Sequence, residues 1–288
     1  MDASPYYAET RAGNRAGAAA RPFIDNDYCL YNGAFREPGG LAMPSSLARL
    51  YVGPLQHLAP PAIAPAAHEG MPAHELLDPA RLTTLLERFG AQYDHGDRRA
   101  VASLWSKWHF SVLAAHGLAA NLLLERDLPL SLDALYLQQS AEGQTTGLVL
   151  RHAGRPLAAF DPSARFTTLL DGHLAPLIEA LAAVSGASPK VFWSNAGNYV
   201  EYFAGALAEH PMAGPDAGEP AKALMTRRTL PDGRRNPLYH PVRYVEDDNG
   251  TPRRVRRLCC IRYLIDELGV CGNCPLDCPN RSRAAKTR

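Results

Sequence analysis

The sequence predicts an α+β fold, mainly helical, with a small antiparallel β-meander and a C-terminal hairpin-and-helix segment that carries cysteines. Three observations lead there. From Asp78 onward, apolar residues recur at helical spacing behind good capping residues. Between residues 134 and 160, short alternating stretches are separated by turn pairs. Five of the six cysteines then fall between Cys259 and Cys278. The chain divides accordingly into a partly disordered N-terminal extension (1–75), a helical body with its sheet (76–236) and a cysteine segment (237–288).

The extension is low in pattern, with biased runs such as A-P-P-A-I-A-P-A-A. Tyr28–Tyr31 and Leu47–Val52 are its candidates for packing on the body. Asp78 then caps a helix opened by Pro79, whose apolar face is Leu82, Leu85, Leu86 and Phe89. Asp97 caps the longest helix, which runs past Trp105 and Trp108 to Leu124, with Gly117 as a point of interruption and Pro129 as its stop. Residues 134–139, 145–152 and 156–160 form the meander. Helices return at Phe166–Leu170, from Pro176 to Gly186, and from Ser188-Pro189 through Leu207, with a short one at Ala221–Met225. Asp248-Asn249-Gly250 between Val242–Val245 and Arg254–Leu258 predicts a hairpin, because both turn positions tolerate positive φ. Ile261–Leu268 has helical spacing, and Gly269 is placed to stop it.

Composition narrows the function. A net charge of +1 argues against nucleic acid as a partner. No apolar run is long enough for a transmembrane segment, which leaves peripheral membrane contact open. The N-terminus is polar and Ala-rich without an apolar signal core, so a cytoplasmic location is expected. There is no G-x-S-x-G, no H-E-x-x-H and no P-loop, and no flavin or nicotinamide site is visible.

The chemistry concentrates in Cys259, Cys260, Cys271 and Cys274, spaced C-C-x10-C-x2-C. Cys278 falls outside the pattern, and Cys29 stands alone as a buried or inert thiol. Four thiolates suit zinc or an iron–sulfur cluster, whereas structural disulfides need an oxidising compartment. Spacing alone leaves zinc and iron–sulfur level. Adjacent strand residues point to opposite faces. Cys259 and Cys260 therefore reach one site only if the backbone leaves strand geometry there, as a strand-to-helix junction allows.

The arrangement resembles the FhuF-type ferric-siderophore reductases. The likeness extends to Asn236-Pro237, the arginine pair before Cys259, Tyr263 and Pro275-Leu276. It also takes in the S-x-W-x-K-W segment Ser103–Trp108 and Trp193-Ser194-Asn195, and covers roughly Leu76 to Leu276. The resemblance implies a [2Fe–2S] cluster on Cys259, Cys260, Cys271 and Cys274. It also implies an oxidoreductase that passes one electron to ferric iron in a siderophore, of hydroxamate type, and releases ferrous iron. The electron then comes from a donor protein or a soluble reductant. Arg256, Arg257, Lys107 and His240 are the candidate substrate contacts. Arg253 and Arg254 read rather as a solvated edge strand, Trp105, Trp108 and Trp193 as core, His109 and His116 as satisfied core histidines, and Asn195 and Asn198 as caps. The rival readings are a binding module stapled by zinc, a protein related to siderophore assembly, and an iron-sensing regulator.

Overall fold

The computed structural model describes residues 45–64, 70–94, 96–158, 160–246 and 250–277. The Tyr28–Tyr31 island, Cys29 and Cys278 lie outside them. Helix α1 spans Pro79–Gly90, and the Asp78 carboxylate accepts from the amides of Ala80 and Arg81. Helix α2 spans Arg98–Leu124, with Asp97 accepting from the Arg99 amide. Gly117 does not interrupt α2. It lets Leu130 close on the helix, since a Cβ there would lie 2.8 Å from Leu130 Cδ1. The helix ends at Glu125, which takes left-handed φ of 52°, before Pro129 is reached. α2 is buried on nearly all sides, because three other helices and a strand surround it.

Helix α3 (Ala175–Ser185) follows a continuous helical run that begins at Thr167 and includes a π-turn over Leu170–Leu174. Gly186 ends it with φ +75°. Ser188 caps α4 (Pro189–Ala208), the main packing partner of α2, and α5 (Glu219–Thr226) packs on α4. No helix among the described residues is long and apolar enough to cross a membrane.

The sheet differs from the expected meander. Strands β1 (Ala62–Ile63), β2 (Met71–Pro72), β4 (Leu135–Gln139) and β5 (Thr145–Leu150) stand in the order β1-β5-β4-β2, with only the β1–β5 pair parallel. The third expected piece reduces to β6 (Arg155–Pro156), which pairs instead with β3 (Arg126–Asp127) just after α2. Its place in the sheet is taken by β1 and β2, from the segment expected to be a loose extension. Leu47, Leu50 and Leu55 of that segment are core residues, and the Leu50 carbonyl accepts from His210 Nε2 at 2.9 Å. Packing onto the body therefore begins well before residue 76.

Within the core, Trp105 donates to the Gly143 carbonyl at 2.9 Å and stacks on His109. His173 Nδ1 lies 2.6 Å from the Leu130 carbonyl, which can only accept, so Nδ1 carries the hydrogen. Neutral His173 then accepts at Nε2 from His109, and His109 Nδ1 is left to accept from the Thr145 hydroxyl, each at 2.9 Å. His116 bonds Tyr51 at 2.7 Å. His109 and His116 are satisfied core groups, as their sequence setting suggests, and His173 joins them.

At the C-terminal end, β7 (Val242–Glu246) and β8 (Pro252–Arg256) form the expected hairpin. The expected helix over Ile261–Leu268 is absent. Ile261 adopts left-handed φ of 55°, and only a 3-10 turn, Arg262–Leu264, follows. The Arg262 guanidinium donates to the carbonyls of Leu268, Gly269 and Val270, so one side chain holds the loop that stands in place of the helix.

Candidate metal centre

Strand β8 delivers the chain to Cys259–Cys260, and the left-handed turn at Ile261 breaks the strand alternation just beyond them. This is the change of backbone geometry that adjacent ligands need. Both central helices hold the junction. On α2, Ser103 donates from Oγ to the Cys260 carbonyl at 2.6 Å. On α4, Asn195 Nδ2 donates to the Ser103 carbonyl and hydroxyl at 3.0 Å and to Ser106 Oγ at 2.9 Å. The Asn195 carbonyl oxygen accepts from Arg256 Nη2, which also reaches Ser194 Oγ at 3.2 Å. Ser194 in turn donates to the Leu258 carbonyl at 3.0 Å. Asn195 is mid-helix and buried, so it is a strut rather than a cap.

The second cysteine loop closes against β8. The Arg256 amide donates to the Asn273 carbonyl at 2.9 Å, and Arg253 donates to the Gly272 carbonyl at 2.7 Å. Asn273 Nδ2 donates to Asn198 Oδ1 at 2.9 Å, an oxygen that Arg254 also reaches. Arg254 pairs with Glu201 at 2.5 Å, the two side chains only 12% and 11% exposed. Arg253 and Arg254 therefore fasten the loop rather than decorate a solvated edge.

The four sulfurs meet two by two. Cys259 and Cys274 are 3.8 Å apart and Cys260 and Cys271 3.5 Å, and none forms a disulfide. Cys260, Cys271 and Cys274 are buried, while Cys259 is partly exposed. The amides of Ile261 and Leu276 donate to Cys259 and Cys274 at 3.3 and 3.4 Å. The Cys260 thiol is drawn well below its ordinary range by hydrogen bonds to Cys259 and Cys271, helped by the charges of Arg256 and Lys107 and opposed by burial.

Arg256 is fully buried, and its Nε and Nη1 hydrogens have no partner among the described residues. Buried donors normally find acceptors, so they leave room for an anionic group beside Cys260 and Cys271. Lys107 is 3% exposed and acts on the same two cysteines. No group of three or more His, Cys, Asp or Glu among the described residues is set to hold a single ion. Two sulfur pairs with buried cations behind one of them fit a [2Fe–2S] cluster, which takes two thiolates per iron and is anionic once held by four.

Of the expected substrate contacts, Lys107 and Arg256 are buried and offer no face to a ligand arriving from solvent. Arg257 and His240 do line open space. A cleft of about 590 Å³ has Arg243, Arg257, Leu258, Cys259, Pro275 and Leu276 in its wall. A second, of about 350 Å³, shares Arg257 and Leu258 and continues past Trp193 and His240. Trp193 is thus partly a cleft wall as well as core. Gly197 on α4 lets the chain under this second cleft pack closely, since a Cβ there would meet Pro241 Cβ at 2.6 Å.

Comparison with known proteins decides the relationship. The family model described as "Ferric iron reductase FhuF-like transporter" matches residues 103–252. The chain belongs to the FhuF family. The "FhuF 2Fe-2S C-terminal domain" model matches residues 256–276, so the cofactor of this FhuF chain is a [2Fe–2S] cluster. The ferric siderophore reductase of Escherichia coli (strain K12) is 28% identical over 186 residues, covering 62% of this chain and 67% of that protein. Within the FhuF body, the Ser103–Trp108 and Trp193–Asn195 segments now have a physical role. Ser103, Ser194 and Asn195 hold the backbone around Cys259–Cys260. Their residue types were visible in the sequence, but their partners lie 61 to 157 residues away.

Proposed function

We propose that this protein is a cytoplasmic ferric-siderophore reductase that acts on hydroxamate complexes and carries its cluster on Cys259, Cys260, Cys271 and Cys274. The observation that carries the reading is the meeting of four free cysteines as two close pairs beside the unpartnered donors of Arg256. One iron is assigned to Cys259 and Cys274, the other to Cys260 and Cys271. A bound [2Fe–2S] cluster supplies one electron at a time, taken up from a donor protein or a soluble reductant.

The chain's own residues do the rest. Arg256 and Lys107 hold positive charge against the buried cysteine pair, which favours a more negative cluster. Cys259, in the wall of the larger cleft, offers the point of closest approach for a substrate. The substrate's ferric iron is a hard cation that prefers anionic oxygen ligands, whereas ferrous iron holds the same ligands far more weakly. One electron therefore frees the iron without hydrolysis of the chelator, and no acid–base pair or nucleophile is needed.

The test is spectroscopic. Gently purified protein is expected to be brown, with two irons and two sulfides, and to give a spin-half EPR signal on reduction. Its bleached form should recover colour on addition of a ferric hydroxamate. A colourless protein holding one zinc would replace the reductase with the zinc-stapled module.

A further inference from the structure

The cleft walled by Cys259 adjoins the second cleft along Arg257 and Leu258, and the two together make a groove. Its charge is one-sided. Arg243 stands at the Cys259 end, Arg257 where the two clefts meet, and Lys190 and Arg235 at the Trp193 end, all of them exposed. No Asp or Glu lines either part among the described residues. None of these four cations has an ion pair among the described residues, whereas exposed Arg99 and Arg234 each pair with a nearby aspartate. The whole chain carries a net charge of only +1, so the groove departs sharply from the average surface.

We propose that this groove is the substrate site and that it selects ferric chelates of net negative charge, with Arg257 at its centre. The proposal rests on the reductase reading and names the substrate class within it. Three hydroxamates neutralise ferric iron, so the iron core of such a chelate carries no charge and discrimination falls on its periphery. The class that fits is a hydroxamate siderophore that also bears a carboxylate. Arg243 and Arg257 present planar guanidinium forks that match a carboxylate, and the Trp193 wall takes the apolar part of the chelator. Because the four cations are exposed, the selection is expected to weaken as salt rises.

The experiment uses the cluster-loaded protein and three gallium(III) complexes of one linear trihydroxamate. Its terminal amine is left free, acetylated or succinylated, which gives net charges of about +1, 0 and −1 by simple valence counting. Gallium is not reduced, so calorimetric titration reads binding alone. The succinylated complex should bind about tenfold more tightly than the free-amine complex in low salt, and high salt should narrow the gap. Arg257→Gln should remove most of that difference while the visible spectrum stays the same, and Arg257→Lys should keep it. Equal affinities, a preference for the cation, or no binding by any of the three overturns the groove assignment. The matching ferric complexes, added to reduced protein, test the reductase reading separately. Reoxidation without charge preference sinks only the groove, whereas charge-selective binding without any reoxidation sinks only the reductase.

Discussion

Ser103 on α2 donates a 2.6 Å hydrogen bond to the carbonyl of Cys260, across 157 residues of sequence. The same hydroxyl accepts from Asn195 on α4, so one small polar side chain joins both central helices to the cysteine pair. Ser103 is fully buried.

Ser103→Ala should therefore cost about 1–3 kcal/mol, because it leaves the buried Cys260 carbonyl without its donor. Urea unfolding followed by tryptophan fluorescence reads the stability. The half-life of the visible absorbance in air reads the site. A loss of stability with no change in that half-life would mean that Ser103 serves the helix packing rather than the cysteine junction.

Cys259→Ser, Cys260→Ser, Cys271→Ser and Cys274→Ser should each abolish or alter the chromophore, whereas Cys278→Ser should keep it. The two pairs make a finer expectation. Loss of partly exposed Cys259 leaves the Cys271–Cys274 loop fastened by Arg253 and Asn273. It should therefore leave an altered spectrum more readily than loss of Cys260, which is buried between two cations. Absorption and iron content of the four variants, prepared anaerobically, decide this.

The buried histidines set an acid limit. Burial holds His173 and His116 down to about 4, and holds His109 well below its ordinary value with His173 adding to the effect. Their neutral forms are the folded forms, so the unfolded chain binds more protons as pH falls below about 6.5. Stability is then full above that pH and declines from there toward about 4, the folded value for His173 and His116. A group shifted this far contributes roughly 3 kcal/mol at most. Urea midpoints between pH 7.5 and 5 should fall with acid, and His116→Gln should reduce the slope by about one proton. An unchanged slope in that variant would remove His116 from the account.

Much of this site was legible because its cysteines are close in sequence. The C-C-x10-C-x2-C spacing and the Asn249-Gly250 hairpin signal lie within one short stretch, and the caps Asp78, Asp97 and Ser188 mark helix starts by local chemistry. What stayed hidden depends on distant partners. β6 looks like a third meander strand until β3 claims it, and β1 lies in a segment that reads as unpatterned. The Ile261–Leu268 stretch has the spacing of a helix, but the Arg262 guanidinium satisfies loop carbonyls that spacing does not report. Lys107 and Arg256 read as candidate substrate contacts in the sequence, and only packing reveals that they are buried.

That burial carries the last prediction. A cation beside the site stabilises its reduced state, which has one more negative charge than the oxidised state, and removal of the cation should lower the potential. At the separations of buried neighbours, one charge is worth on the order of 1–2 kcal/mol after relaxation, or roughly 50–100 mV for a one-electron couple. Lys107→Met is the cleaner substitution, because no hydrogen bond within the Ser103–Asn195–Arg256 network uses Lys107. It should lower the midpoint in a titration followed by EPR and leave stability little changed, since no hydrogen bond of that network is lost. Arg256→Lys keeps the charge but loses the bonds to Ser194 and Asn195. That variant should hold its potential within a few tens of mV, by the same estimate, while it loses stability. Potential and stability thus move separately in the two variants if charge sets the potential. A Lys107→Met midpoint equal to that of the parent would show that the buried lysine does not act on the cluster.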